Sequence, residues 1–364
     1  MRSKKSVLIA LSGGVDSSVS ALLLKKQGYE VIGLFMRTFR DEKSPSSNPC
    51  KNPGGKTDER FARLIAKILK IKLIVIDVRD SYRKQVIEPM ILDYSRGLTP
   101  NPDIECNKLI KFPILMKEAE KIKTDYVATG HYAKIKRTKK GYSLLQASDK
   151  TKDQAYFLYQ LTQKELSKLI FPVGNLTKKQ VRKIAEKHNF PNYNKPGTTG
   201  ICYLGKIPNI KLFLQKKIKQ NPGKIISPEG KFLGTHPGIA YFTIGQKVQD
   251  SLGLIISKPK EHAQERYYIA DKIAKTNTII AAPENHPSLK KNKVIIHNFH
   301  IINPETKIPK SLAARIRHLG KLHKGKLRGN IFILDKPVQA LAEGQAIVLY
   351  HKNEVIGGGE IRLK

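Results

Sequence analysis

The stretch VLIALSGGVDSS at residues 7–18 decides how the chain is read. Residues 7–11 are a short apolar run of the kind that makes a buried parallel strand, and SSVSALLLKK at 17–26 reads as a helix closed by Gly28. Gly13 and Gly14 lie in the turn between them. Glycines let the backbone turn tightly and bring its N–H groups against a ligand, while Ser12, Ser17 and Ser18 add hydroxyl donors at the start of a helix whose dipole favours anions. This is a phosphate cradle, and it is not the GxxxxGK[ST] kind: Gly55-Lys56-Thr57 has the right ending, but Cys50 stands where the first glycine is needed.

Working outward, strand and helix patterns alternate. Residues 31–36 (VIGLFM) read as the second strand, 37–56 as a Pro/Ser/Asn/Gly-rich loop, Thr57 as the N-cap of a helix over 58–69, 73–78 as a strand and 81–95 as a helix. That spacing predicts an α/β domain with a doubly wound parallel sheet and a ligand outside the carboxyl ends of its strands. TPNPDIECNKLIKF at 99–112 is expected to deliver Asp103 and Cys106 just before a helix running toward Lys121. Asp103 alone reads as an N-cap; three residues from a thiol it also suits acid/base work, because a helix N-terminus lowers a thiol pKa, although Glu105 opposes that shift. YVATGHY at 126–132 is a further strand ending in Gly130 and His131, on the ligand side of the sheet, and 133–145 looks like a hairpin turning at KKG.

Residues 163–185 contain two helical patterns, the second with Thr177 as N-cap, and PGTTGICYLGK sets Cys202 in a Gly/Thr-rich loop rather than an apolar element. From Gly223 the chain turns to short strands with glycine turns, AYFTIGQ among them, and a second all-strand stretch follows Pro287. Two small β-rich domains after the α/β one are expected, with divisions at 1–204, 205–284 and 285–364.

Sixty-seven Lys plus Arg against 30 Asp plus Glu leave a formal charge of +37 over 364 residues. A polyanionic partner explains such an excess; a general lysine bias is the competing explanation. Residues 286–364 carry 15 basic and 5 acidic side chains, so the charge is spread and not gathered in a tail. The three cysteines, Cys50, Cys106 and Cys202, are too scattered for a disulfide framework, and no spacing suits zinc, so no protein-held metal is expected. No run approaches the roughly 20 apolar residues that cross a bilayer, and a strand beginning at Val7 leaves little room for a leader; a cytosolic protein with no membrane partner is expected.

The string SGGVDSS resembles the pyrophosphate loop of the ATP pyrophosphatases, which transfer AMP to an oxygen and release pyrophosphate. With it, in order, stand LTPNPDIECNKLIKF, ATGHY, KDQAYFL, FPVGNLTKKQVRKIAE, TGICYLG, PGKII, YFTIGQ and GGGEI. As an ordered set these resemble the tRNA-specific 2-thiouridylase family along nearly the whole chain. The resemblance implies ATP-dependent 2-thiolation of the wobble uridine of Lys, Glu and Gln tRNAs, an unpaired base that can be turned into a pocket. It implies a persulfide on Cys202, with Cys106 releasing its sulfur and leaving a Cys106–Cys202 disulfide, and Asp103 as the acid/base group. Asn101 and Pro102 would line the base pocket with Asp103. Ala10, Leu11, Ser12, Gly13, Gly14, Val15, Asp16, Ser17, Met36 and Gly130 would hold the nucleotide, with Mg2+ on its phosphates. His131, Lys152, Asp153, Gln154, Arg317, His318 and Gln345 fall at tRNA-contacting positions, and an upstream persulfide donor, a cysteine desulfurase or relay protein, is implied.

The chain departs from that family's pattern at Gly197-Thr198-Thr199-Gly200, where an acidic residue is usual, at Lys206-Ile207, at Lys247-Val248-Gln249 and at His318. These changes touch tRNA docking more than chemistry. Two other readings stand beside the first. Another adenylating ATP pyrophosphatase would leave TGIC and NPDIEC unexplained, and an RNA-binding protein without catalysis would leave Asp16, Asp103, Cys106 and Cys202 without a use.

Overall fold

The computed structural model describes residues 4–38, 56–196, 210–249, 253–257 and 264–363. In chain order β1 (Ser6–Ala10), α1 (Val15–Lys26), β2 (Glu30–Arg37), α2 (Lys56–Leu69) and β3 (Lys72–Asp77) open the first lobe. Its strands are the apolar runs read from the sequence; the middle residues of β1 and β2 are buried, and the edge strand β3 is half-buried with exposed ends. One expectation is corrected: α2 already includes Lys56, so Thr57 lies inside the helix and does not cap it.

Next come α3 (Arg79–Tyr82), a π-helical turn (Arg83–Ile87) and α4 (Glu88–Ser95), then α5 (Pro102–Glu105), a second π-helical turn (Cys106–Lys111) and α6 (Phe112–Lys121). The strand β4 (Tyr126–Ala128), the hairpin β5 (Ala133–Thr138) and β6 (Gly141–Gln146), α7 (Gln163–Lys168), β7 (Leu169–Ile170) and α8 (Lys178–Lys187) complete this part of the chain. The sheet runs β3-β2-β1-β4-β7, and every pairing in it is parallel. The order reverses beside β1, so the carboxyl ends of β1 and β4 flank the crevice where such sheets bind ligands.

After α9 (Ile210–Lys217), the strands β8 (Gly223–Ile226), β9 (Phe232–His236), β10 (Ile255–Ile256), β11 (Tyr267–Ile273) and β12 (Thr278–Pro283) make a second sheet ordered β10-β9-β8-β12-β11. The YFTIGQ segment, expected as a strand, instead begins in a single 3-10 turn at Ile239–Tyr241 and touches β11 through an isolated bridge at Lys247–Tyr268, where the Gly245 N–H donates to the Ile269 carbonyl at 2.7 Å. The last lobe holds β13 (Lys290–Ile301), β14 (Leu312–Arg315), β15 (His323–Arg328), β16 (Ile331–Gln339), β17 (Ala346–His351) and β18 (Glu354–Arg362). Pairing of β13 with both β16 and β18 closes these strands into a barrel, which removes open edges.

The hairpin β5–β6 belongs in space to that barrel, because β6 pairs antiparallel with β18 at Leu145–Glu354 and Leu144–Val355. Its alternation suits a strand pair in any sheet, and the sequence does not say which sheet receives it. Among the described residues no helix is long and apolar enough to cross a membrane.

Candidate active site

The loop after β1 is held from several sides. Gly14 caps α1 with no side-chain hydrogen bond, and among the described residues no side chain takes the first-turn N–H groups of this helix. The serines brace the turn: Ser17 Oγ and Ser18 Oγ donate to the Gly14 carbonyl at 3.0 and 2.9 Å, and the Ser12 N–H donates to Ser17 Oγ at 3.2 Å. Gly13 has φ +75°, and a Cβ there would stand 2.1 Å from the Asp58 carbonyl oxygen, so both the turn and its approach to α2 require glycine. Leu11 and Val15 are buried beneath the loop, Ala10 ends β1, and Met36 lies half-buried near the end of β2.

Three residues not singled out from the sequence complete this half. The fully buried Asn192 donates Nδ2 to the Gly13 carbonyl and to Ser18 Oγ, both at 2.9 Å. Asp16 Oδ1 accepts from Lys178 Nζ at 2.6 Å and from the Tyr132 hydroxyl at 2.8 Å. Lys178 is the first residue of α8, a helix with no acidic residue in its first turn. Cations at a helix N-terminus oppose the dipole, so Lys178-Lys179 in that place was the readable sign of a second use.

The other half is built on NPDIEC. Asn101, not Asp103, caps α5: its Oδ1 accepts from the Asp103 N–H at 3.2 Å and the Ile104 N–H at 3.4 Å. Asp103 and Cys106 therefore lie within the helical run and not before it, with the buried Pro102 at its first position. The expected lowering of the thiol pKa is also overturned. Cys106 is 9 % exposed, and burial pushes its thiol above the ordinary value, against the pull of Lys111 and of a hydrogen bond from Tyr82. Asp103 is raised by burial as well, again opposed by Lys111. A carboxyl held toward its protonated form can give a proton as well as take one.

Gly130 and His131 join the halves. A Cβ on Gly130 would stand 2.7 Å from the Ser17 backbone nitrogen, so the chain after β4 lies directly against the start of α1. The next residue reaches the thiol half: His131 Nε2 lies 3.3 Å from Lys111 Nζ, and its Nδ1 lies 2.7 Å from Thr129 Oγ1. Both imidazole nitrogens are thus engaged inside the protein.

The remaining expected contact residues are disposed unequally. Lys152 and Arg317 are exposed, and Gln345 is half-buried. Gln154 Oε1 accepts from the Tyr132 N–H at 2.9 Å. Asp153 is a correction: its side chain is fully buried, with Oδ2 2.8 Å from Arg315 Nη1 and Oδ1 accepting from the Ala147 N–H at 3.0 Å, so its carboxylate offers nothing to an RNA at the surface. His318 Nε2 lies 2.9 Å from the Asp153 carbonyl oxygen, and the ring packs on Phe157 with centroids 4.3 Å apart. Cys106 carries a free thiol; Cys202, with TGICYLG, and Cys50 lie outside the described residues.

Family models match the chain in three consecutive pieces: a tRNA methyl transferase HUP domain over residues 5–206, a tRNA methyl transferase PRC-barrel domain over 211–283 and an aminomethyltransferase beta-barrel domain over 291–361. Among curated relatives, the tRNA-specific 2-thiouridylase MnmA of Methylobacillus flagellatus is 38% identical, covering 98% of this chain and 99% of its own. MnmA 1 of Geobacillus kaustophilus is 38% identical over 98% and 95%, and MnmA 2 of Aliarcobacter butzleri 36% identical over 99% of each.

Proposed function

The chain belongs to the tRNA-specific 2-thiouridylase family, and we propose that it converts the wobble uridine of Lys, Glu and Gln tRNAs to 2-thiouridine at the expense of ATP. The observation that supports this reading is the junction at Gly130-His131: Gly130 lies against the Ser17 backbone nitrogen at the start of α1, and His131 Nε2 lies 3.3 Å from Lys111 Nζ, on the helical run that carries Cys106. A phosphate cradle beside a sulfur group is what activation followed by sulfur transfer needs.

The C2 carbonyl of uridine is a poor electrophile with a poor leaving group. In the proposed sequence its oxygen displaces pyrophosphate from ATP and becomes O-adenylyl. Residues 10–17, Met36 and Gly130 hold the nucleotide, with the first-turn N–H groups of α1 toward its phosphates. Lys178 fits the same anion, since its ammonium already lies against Asp16 in the crevice. Mg2+ bound to the nucleotide would shield phosphate charge, and Asp16 supplies a carboxylate suited to it. Asn101, Pro102 and Asp103 frame the base, with Asp103 moving the proton.

A persulfide on Cys202 then attacks C2 and AMP leaves with the oxygen. The Cys106 thiolate attacks the Cys202 sulfur; the S–S bond breaks, the outer sulfur stays on uridine as the thiocarbonyl, and a Cys106–Cys202 disulfide forms. Two electrons from an external thiol restore both cysteines, and a separate persulfide donor reloads Cys202. Lys152, Gln154, Arg317, His318 and Gln345 take the anticodon arm. The lobes at 1–204, 205–284 and 285–364 would then divide chemistry from tRNA grip.

Nucleoside mass spectrometry of tRNA incubated with protein, ATP, Mg2+ and a persulfide donor tests this reading. Wild type yields 2-thiouridine, and Cys202→Ser and Cys106→Ser do not. A methylated nucleoside formed from a methyl donor, with no thionucleoside, would favour the activity named in the family-model descriptions. Bound tRNA with no product of either kind would return the chain to an RNA-binding role.

A further inference from the structure

Cys106 is buried, which works against the thiolate that sulfur exchange needs, so something on the protein must offset that cost. The titratable and charged groups that face it are Asp103 and Lys111 on its own helical run and Tyr82 on the preceding one. Of these only Lys111 carries a positive charge. It stands five residues after Cys106, at the far end of the π-helical turn Cys106–Lys111. The wider i→i+5 turn swings residue 111 back toward the face of residue 106, where a regular α-helix would carry it away.

The ammonium of Lys111 is clamped. Its Nζ donates to Asn107 Oδ1 at 2.7 Å and meets His131 Nε2 at 3.3 Å. An ammonium has no lone pair, so His131 Nε2 must accept, and the ring proton sits on Nδ1, which donates to Thr129 Oγ1 at 2.7 Å. Burial holds the imidazole well below its ordinary pKa, so it stays neutral and keeps this tautomer. Phe112 and Phe171 pack on the same ring, with centroids 5.9 and 6.0 Å away. His131 therefore works as a fixed acceptor for a lysine and not as a proton shuttle.

We infer that Lys111 is a positioning residue for the sulfur chemistry: held between Asn107 and His131 at the end of the π-helical turn, its ammonium offsets part of what burial costs a Cys106 thiolate, and the Tyr82 hydroxyl fixes that sulfur's direction. Tyr82 is 1 % exposed, so its hydroxyl does this away from competing water. The same ammonium faces Asp103, which couples the proposed acid/base group to the thiol through one cation. The inference rests on the thiouridylase reading for the use of the thiolate, but not for its existence.

The test is the pH profile of alkylation of Cys106 by iodoacetamide, in the full chain without tRNA or ATP, read by mass spectrometry of the peptide that contains it. The thiolate displaces iodide and forms a thioether, so the rate follows the ionised fraction. Lys111→Met should slow alkylation at pH 8 about tenfold and move the midpoint up by about one pH unit, while Lys111→Arg keeps the wild-type profile. Tyr82→Phe, which removes one hydroxyl, should slow it about threefold. A Lys111→Met profile that superposes on wild type overturns the inference, as does a Lys111→Arg profile shifted like that of Met. Should Lys111→Met fail to fold by circular dichroism, an unshifted Tyr82→Phe together with a shifted Lys111→Arg overturns it. Because no tRNA is present, these outcomes stand apart from whether the product is 2-thiouridine.

Discussion

The two halves of the crevice are supported differently. Among the described residues, the hydrophobic cluster beneath the nucleotide loop, from Val7, Leu11 and Val15 to Val181 and Phe190, contains no buried residue beyond position 190. The cluster around Cys106 mixes Tyr82, Met90 and Ile110 with Ile239, Phe242 and Ile269 of the central lobe and Ala342 of the barrel. One half is a local device within one sheet; the other lies where three lobes meet. The backbone repeats the point, for the Thr99 N–H donates to the Glu343 carbonyl at 2.8 Å just before the Asn101 cap. Damage to the lobe contacts should therefore reach the thiol and the tRNA grip before it reaches the nucleotide.

The largest expected effect tests that asymmetry. Arg315 of β14 is 8 % exposed and pairs with the fully buried Asp153 from the first lobe, so Arg315→Met leaves a buried carboxylate without its cation. Removing one partner of such a pair typically costs about 3–5 kcal/mol. Denaturant unfolding should register that loss, and filter binding should show weaker tRNA affinity, while ATP affinity measured by calorimetry stays near wild type. Equal losses of ATP and tRNA affinity would dissolve the distinction between the halves.

Gly13→Ala is the converse experiment. The new Cβ meets the Asp58 carbonyl at 2.1 Å on a backbone with φ +75°, and holding a non-glycine residue in such a conformation costs about 1–3 kcal/mol. ATP affinity should fall about tenfold or more, and the rate of Cys106 alkylation should not change.

These contrasts also explain what was legible in the sequence. The strand, the glycine turn and α1 are contiguous, so one window of residues displays both the cradle and its chemistry, and the parallel sheet follows from the alternation around it. Asp103 and Cys106 were legible as residues, but the state of the thiol was not. It depends on Tyr82, 24 positions upstream, and on a π-helical turn that no apolar periodicity announces. Asp153 was placed among the tRNA contacts by the family resemblance, which carries no information on its burial; β14 supplies the guanidinium that makes that burial tolerable. The hairpin β5–β6 was found as a hairpin, whereas its place in the barrel is decided by a strand more than 200 residues further along, at Glu354 and Val355.

Titration should separate the halves by sign. Near the loop, Glu59 is held down to about 2 by hydrogen bonds from Arg37 and then Arg63, and Asp77 to about 2 by Arg79. A folded-state pKa below the unfolded one contributes stability above the ordinary carboxylate range and loses it as pH falls toward 2. Cys106 runs the other way: its raised pKa contributes stability below the ordinary thiol value, and that is lost as pH rises through the folded value. Urea midpoints measured across pH should show Glu59→Gln flattening the acid limb alone and Cys106→Ser flattening the alkaline limb alone.

The smallest effect sharpens the comparison from inside the local half. Thr177 closes a capping box on α8, accepting from the Gln180 N–H at 3.2 Å while Gln180 Oε1 accepts from the Thr177 N–H at 2.8 Å. Loss of such a cap costs about 1 kcal/mol, and it frees the helix start that carries Lys178 to Asp16. Yet the Lys178 N–H also donates to Asp149 Oδ2 at 2.9 Å, a second anchor independent of the threonine. Thr177→Ala should therefore lower stability by about that amount and weaken ATP binding by no more than about threefold. Thr177→Ala combined with Asp149→Ala should weaken it by more than the product of the single effects, because either anchor alone can hold Lys178. Strict additivity would mean that Lys178 is positioned by Asp16 and Tyr132 themselves, and the loop would then be more self-contained than its flanking helix suggests.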